Sequence, residues 1–367
     1  MAWSRTCVWA TKLVTKDGYN RPKDAQRREG ANPGRTHKLL TVIVATAILS
    51  AAPSPEYSLI SRHLIKAVPR SWITSVSEDG VLYATTPEGT RISAKILVPE
   101  PKWDSSPEDT FTTAAGQTFL NAGRGILQAA SPKSFISLEH GRLSHTHAGK
   151  KFALPDTAWI FNPECMTMSH SGQTISFVTQ TGIDEFQASL FSQGKERKLK
   201  RVGKVFDLVT IVQDDGEVYG VACDTQSDAP TLIHNISNFG SVVKAAKPVS
   251  WKNGVSQTLE TLLNPKSLPA NIATVPSHVR DGLLYGYQIY NMPVGSDDVA
   301  QIGSMALVWD DAGNPHRFSD LVSNLPRDRK IGRVIGFLEN GDVIATLTDS
   351  VGQTGDKLVI AKLRQQR

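Results

Sequence analysis

His145 and His147, two residues apart, are the most suggestive chemical pair in this chain. On a β-strand, side chains two residues apart point to the same face. Two imidazoles on one face can hold a transition metal when a third ligand arrives from a neighbouring element. His140 sits in the turn just before them, and nothing in the sequence supplies the third ligand. The reading favours a polar, solvent-facing strand and keeps His145 and His147 as the metal candidates. Asp214-Asp215-Gly216-Glu217 and Asp310-Asp311 are the densest acidic stretches. Neither follows the alternating oxygen-ligand spacing of a calcium loop, which also needs a glutamate at its far end. Asp-Gly is a preferred hairpin turn because both positions tolerate positive φ. These stretches read as turns.

Nucleophilic catalysis finds no foothold. Ser169-His170-Ser171 reads as a hairpin turn, not as the strand-to-helix elbow that exposes a hydrolase serine. Gly123-x-Gly125 lacks the third glycine and the following helix of a dinucleotide loop. The sequence contains no phosphate-binding glycine-lysine loop and no His-Glu-x-x-His pattern, and no cofactor is predicted. Carboxylate pairs for glycoside chemistry are defined by their separation in space, so an enzyme stays open. Trp251 and Trp309 have two readings: aromatics filling the space between sheets, or a sugar-stacking platform. Their equivalence between repeats favours packing. Asn235-Ile236-Ser237 fits a glycosylation sequon, which matters only in a host that glycosylates.

The elements that would position these residues announce themselves by repetition. Six times a small polar turn containing glycine precedes an apolar, strand-like triplet, with the turn glycines at Gly80, Gly123, Gly172, Gly216, Gly282 and Gly341. Each unit has a second half. Pro248-Val249-Ser250-Trp251 leads to Gly254 and Leu259, and Ala188-Ser189-Leu190-Phe191 leads to Gly194 and Leu199. Ala306-Leu307-Val308-Trp309 leads to Gly313 and Phe318, and Phe135-Ile136-Ser137-Leu138 leads to Gly141. Two hairpins per unit make about four strands, the content of a propeller blade. Insertions are expected at Pro99–Gly116, Asn264–Pro276 and Pro293–Gln301.

The last unit is short, ending with Lys357–Leu363, and an apolar stretch from Leu64 to Val68 and on to Trp72–Thr74 stands before the first. Strands from the two termini completing one unit would leave no long open edge. The expected fold is therefore all-β: a β-propeller of six blades, closed by pairing of N- and C-terminal strands. Seven blades remain open if Thr231–Ser237 begins a unit of its own, and a β-sandwich is the fallback.

Charge and hydropathy divide the chain. Residues 1–70 hold 12 Lys+Arg against 4 Asp+Glu, leaving 28 against 31 for the remainder of the 367 residues. The basic balance thus belongs to the front, and the near-neutral body argues against a nucleic-acid partner. Leu39–Ala52 is an uncharged apolar run following Arg35 and Lys38. At 14 residues it is shorter than the roughly 20 of a spanning helix but suits the h-region of a secretory signal. Ser50-Ala51-Ala52 supplies small residues for cleavage, whereas Pro53 disfavours it, so signal and uncleaved anchor both stand. The expected organisation is a basic tail or misassigned start over 1–38 and a signal h-region or anchor over 39–53. A linker and the start of a closing strand follow over 54–70, then a single propeller domain over 71–367. Three cysteines make no disulfide framework. Export would allow Cys165 and Cys223 to pair, and two buried thiols are the alternative.

The pairing of an Asp-Gly-x-Val-Tyr-Gly turn with an Ala-Leu-Val-Trp-Asp-Asp segment resembles the HAF repeats of bacterial exported proteins. The matching stretches are Arg280–Gly286 with Ala306–Phe318 and Asp214–Gly220 with Pro248–Leu259, within residues 200–363. The His-Ala-Phe signature itself is missing. The resemblance implies a propeller-like exported protein and no particular reaction. The functional expectation is an exported, periplasmic or extracellular, non-catalytic interaction module. It would take a protein, glycan or small-molecule ligand at the ring axis or on the loops of one face, with a possible tether through Leu39–Ala52. The alternative is a secreted propeller hydrolase or lyase acting on polysaccharide or a small cyclic ester.

Overall fold

A computed structural model describes residues 56–366 except 67, 69–71, 87–90, 106–109, 113–117, 121–125, 141, 157, 160–165, 183–184, 225–245, 263–271, 293–300 and 350–356. The chain divides into two units after Ala52, and the described residues all belong to the second. The expectations for 1–55, including Leu39–Ala52, lie outside the described residues, as do Cys165 and Thr231–Ser237.

Short runs of alternating or fully apolar residues, cut by turn residues every few positions, dictate strands here. Strand β1 spans Glu56–Lys66. The first sheet follows with β2 (Trp72–Val76), β3 (Val81–Thr85), β4 (Arg91–Lys95) and β5 (Asp104–Ser105). A separate hairpin, β6 (Thr110–Thr112) and β7 (Thr118–Leu120), precedes the second sheet: β8 (Ile126–Ser131), β9 (Ser134–Glu139), β10 (Arg142–His147) and β11 (Lys150–Ala153). In the third, β12 (Ala158–Trp159) and β13 (Thr167–Met168) share one side of β14 (Thr174–Gly182), followed by β15 (Glu185–Ser192) and β16 (Lys195–Lys198). The fourth contains β17 (Phe206–Val212), β18 (Val218–Cys223), β19 (Lys247–Lys252) and β20 (Val255–Thr258). A parallel bridge between Phe186 and Phe206 joins the third to the fourth. The fifth holds β21 (Ile272–Arg280), β22 (Leu283–Met292), β23 (Gln301–Trp309) and β24 (Pro315–Arg317). After a 3-10 turn at Phe318–Leu321, the sixth holds β25 (Arg329–Phe337), β26 (Val343–Asp349) and β27 (Lys357–Gln366). Its fourth strand is β1.

The described body is thus an all-β succession of antiparallel meanders. Composition varies across each one as burial requires. Central strands such as β22 and β26 are buried on both faces and read as nearly continuous apolar runs. Outer strands are polar and exposed, as in Lys195-Glu196-Arg197-Lys198 and Lys150-Lys151-Phe152-Ala153. Apolar residues on facing sheets then build the cores between them. Val76, Leu82, Ile96, Ile335 and Ile344 join the sixth sheet to the first. Ile136, Leu154, Ile175 and Phe191 join the second to the third. Leu190, Leu199, Val249 and Trp251 join the third to the fourth, and Leu284, Trp309, Ile211 and Leu259 the fourth to the fifth. Tyr285, Val308, Val334 and Leu347 join the fifth to the sixth.

The expected pairing of the termini is present. Leu64 faces Val359 and Ile65 faces Leu358 in an antiparallel ladder that starts at Glu56 opposite Gln366. The closing strand is longer than expected, and it ends before Trp72, which opens the first sheet. Tyr57 fixes β1 from the side, its hydroxyl 2.6 Å from that of Tyr285 in the fifth sheet, with both side chains buried.

Five of the six turn glycines occupy equivalent places between first and second strands. Gly80, Gly172, Gly216 and Gly341 each donate an amide hydrogen bond to the carbonyl three residues back, with φ between 71° and 87°. Gly282 completes a two-residue turn with Asp281, both at positive φ. The second unit differs from expectation by one strand. Gly123 and Gly141 lie outside the described residues, yet Ile126 opens a first strand and Phe135–Leu138 belongs to a second. The turn between them is Pro132-Lys133. Proline presets φ near −65° there, so the glycine signal is missing where the repeat needs it. The expected insertion Asn264–Pro276 also ends early, since Ile272–Pro276 is already in β21.

Candidate functional site

In an antiparallel meander, alternate connections emerge at opposite ends. The first-to-second and third-to-fourth connections here are mostly tight turns, such as Asp281-Gly282, Gln193-Gly194 and Asn253-Gly254. Connections from second to third strands and from sheet to sheet emerge at the other end, and most of the long ones are there, the third-to-fourth connection 96–103 of the first sheet being the exception. They include the stretches between Cys223 and Lys247, between Met292 and Gln301, between Asp349 and Lys357, and between Thr258 and Ile272. One end is therefore regular and the other variable in length.

Several buried polar side chains on the strands lie away from the tight turns. Asp207, near the start of β17, is 1% exposed and accepts the amides of Val202 and Gly203 at 3.1 and 2.8 Å. Burial pushes its carboxyl up to about 6, with the Asp224 charge adding, against the Gly203 and Val202 amides and the Arg201 charge. Gln288, fully buried on β22, donates through Nε2 to Thr274 Oγ1 at 2.8 Å while its Oε1 has no hydrogen-bond partner. The Arg333 guanidinium lies over the Tyr287 ring, 4.9 Å from its centroid. Nearer the regular end, His278 Nδ1 is 3.0 Å from Ser277 Oγ. Burial and then the Arg333 charge pull His278 down to about 4, so it is neutral at physiological pH. A lone Asp in the apolar run of β17 is the signal that could have marked Asp207 in the sequence.

The histidines of β10 are brought together, but for a structural purpose. Their rings lie 6.2 Å apart on one face. His145 is fully buried, against the solvent-facing expectation, and Nε2 lies 2.8 Å from the Gly172 carbonyl, so it donates the hydrogen. Nδ1 is then the unprotonated nitrogen, buried without a hydrogen-bond partner, and the Phe191 and Phe152 rings lie beside the imidazole. Burial holds the imidazole below its ordinary pKa. His147 Nδ1 is 3.2 Å from Ser134 Oγ, while His140 is exposed in a positive-φ turn. Among the described residues no group of three or more metal-ligating side chains converges. His145 ties the second sheet to the turn of the third, while His147 bonds within its own sheet.

The other candidates are likewise occupied. Ser171 donates its amide and hydroxyl to Asp214 of the next sheet. Despite an opposing contribution from burial, these bonds hold the Asp214 carboxyl below its usual range. Asp310 accepts from Ala312, Asn314 and His316 within its own turn. Trp251 and Trp309 are 3% and 2% exposed, which leaves neither ring free as a sugar platform. Each lies in the core between successive sheets and donates Nε1 to the connection leaving the preceding one, at Lys200 and Glu260. Cys223 is buried, 1% exposed.

No family model and no curated protein matches the chain. Solved structures do. A chain from the Saccharomyces cerevisiae structure of dbp5 bound to nup159, gle1, IP6 and ADP is 10% identical, with a TM-score of 0.39, covering 85% of this chain and 96% of that one. TolB from Acinetobacter baumannii is 11% identical with a TM-score of 0.33, covering 81% and 64%. A putative TolB from Agrobacterium tumefaciens is 12% identical with a TM-score of 0.28, covering 86% and 99%. Likenesses at these scores assign no role.

Proposed function

We propose that this protein is an exported six-bladed β-propeller that acts as a non-catalytic binding module, with its ligand at the variable end of the ring. The observation that carries this is the segregation of connections: mostly tight turns at one end, most of the long connections at the other. Loops that vary while a rigid scaffold holds their ends are where binding surfaces form. The shared terminal sheet supports a closed ring, and the resemblance of residues 200–363 to HAF repeats supports export.

A photo-crosslinking residue at exposed Leu262, on the variable end, is compared with one at Asn253 or Asn340, at the tight turns. Adducts with a protein or glycan partner from Leu262 alone are expected in cells producing the protein. Equal adducts from both ends, or none, would overturn the reading. Turnover of a polysaccharide or cyclic ester by the purified protein would replace it with the enzymatic alternative.

A further inference from the structure

Four of the seven large hydrophobic side chains exposed among the described residues lie on two neighbouring segments. Ile60 and Leu64 project from β1, at 46% and 57% exposure, and Leu97 and Val98 lie in the connection between β4 and β5. Two contacts hold that connection against β1. His63 hydrogen-bonds the Val98 backbone, and Trp103 Nε1 donates to the Lys66 carbonyl at 2.9 Å. Single exposed apolar residues are ordinary, but grouped ones mark an interaction surface. Exposed Arg62, Lys66, Lys95 and Lys102 lie on these segments, against the exposed acids Glu56, Glu100 and Asp104.

We propose that this rim, formed by β1 and residues 96–103, rests on an anionic lipid surface. The inference builds on the reading of Leu39–Ala52 as a membrane-inserting run. Only Pro53–Pro55 separate that run from β1, so a bilayer holding it lies within about 14 Å of the Glu56 backbone, the reach of four extended residues. Basic side chains beside a membrane anchor are drawn to anionic headgroups, and the apolar side chains among them enter the interface.

The edge of β1 argues against an added peptide strand as the occupant. Asn324 clamps the backbone of Leu59 on both its amide and its carbonyl, and Ser323 donates to the Tyr57 carbonyl. The ladder is irregular between Leu59 and Ser61, and Arg62 follows. Capped, bulged and charged edges resist strand addition. Glu56 and Gln366 lie at the tight-turn end, whereas Leu64 and Lys66 pair with Val359 and Lys357 toward the variable end, so the membrane follows the whole length of β1.

The full-length chain is reconstituted into phosphatidylcholine–phosphatidylglycerol vesicles or into detergent micelles, and hydrogen exchange is compared. Segments Leu59–Lys66 and Ile96–Lys102 are expected to exchange several-fold more slowly on the vesicles, with Asn253–Gly254 unchanged. Leu64→Ser combined with Val98→Ser is expected to remove the slowing while the protein still floats with the vesicles. Flotation without slowing, or slowing that survives the double variant, overturns the docking surface and leaves membrane insertion standing. Failure to float overturns both. Concentration-dependent slowing in micelles alone would assign the rim to a second copy of the chain and overturn the lipid.

Discussion

The indole of Trp309 donates a hydrogen bond to the Glu260 carbonyl at 2.9 Å, reaching from the third strand of the fifth sheet to the connection leaving the fourth. Trp251 repeats the contact on Lys200 one sheet earlier, at 2.8 Å. Each ring packs beside the leucine preceding its acceptor, Leu259 or Leu199. Recurrence in register identifies a joint between sheets: the ring fills the gap and its one donor satisfies a carbonyl there. Trp309→Ala should therefore destabilise by about 3–5 kcal/mol, the range for large buried aromatics. Trp309→Phe should lose the hydrogen bond and part of the volume, about 1–2 kcal/mol. Midpoints of denaturant unfolding measure both. A Trp309→Ala protein of unchanged stability would show that the indole does not act as a joint.

Two glycines in one hairpin separate backbone strain from steric exclusion. Gly216 has φ 87° and open space where a Cβ would stand, so Gly216→Ala should cost only the left-handed penalty, about 1–2 kcal/mol. A Cβ on Gly220 would lie 2.0 Å from the Leu208 carbonyl oxygen of the paired strand. Gly220→Ala must push β17 from β18 and should cost about 3 kcal/mol or more, since backbone cannot yield as a side chain does. Equal unfolding midpoints for the two variants would contradict this.

Asp207 and His278 should oppose one another between about pH 4 and 6. The folded carboxyl of Asp207 titrates near 6, above its ordinary 3.8, so the folded state holds the extra proton and this contribution to stability declines as pH rises through the window. His278 titrates near 4, below its ordinary 6.5, so its contribution rises with pH over nearly the same range. Relative to the parent, Asp207→Asn should gain stability as pH rises from 4 to 6, and His278→Gln should lose it. Unfolding midpoints across that range test the two slopes, and slopes of the same sign would refute the assignment.

Asp342 should govern the acid limb. Its side chain is 1% exposed and accepts from Arg364 Nε at 2.7 Å, with Lys362 Nζ at 3.1 Å. The Arg364 hydrogen bonds are the largest influence holding it down to about 2, against burial, with Asn340 and Lys362 assisting. This stabilisation is complete above 3.8 and disappears as pH falls through 2. The deficit of Asp342→Asn should thus be greatest near neutrality and shrink toward pH 2, read from thermal midpoints. A deficit independent of pH would exclude the ion pair as its source.

Local chemistry made much of this fold legible. Gly80, Gly172, Gly216, Gly282 and Gly341 mark turns because the backbone there needs positive φ, a requirement written at a single residue. Their spacing revealed the repeat, and the leftover strands at the two ends predicted the shared sheet. The second unit was misplaced by one strand because Pro132-Lys133 makes its turn without glycine.

The histidine pair illustrates the limit. Alternation along β10 correctly puts His145 and His147 on one face, since side-chain direction on a strand depends only on position. Whether that face meets water or the third sheet depends on which strands approach, and the Gly172 carbonyl that takes the His145 hydrogen comes from 27 residues away. The burial of Asp207, the Tyr57–Tyr285 contact across 228 residues and the Trp103 hydrogen bond to the Lys66 carbonyl have the same origin. Dihedral preferences and side-chain alternation are properties of neighbours in the chain, so the sequence alone determined turns, strands and their recurrence. Dielectric surroundings and hydrogen-bond partners are created only when distant segments pack, so the tertiary structure alone decided which polar groups became joints and which stayed exposed.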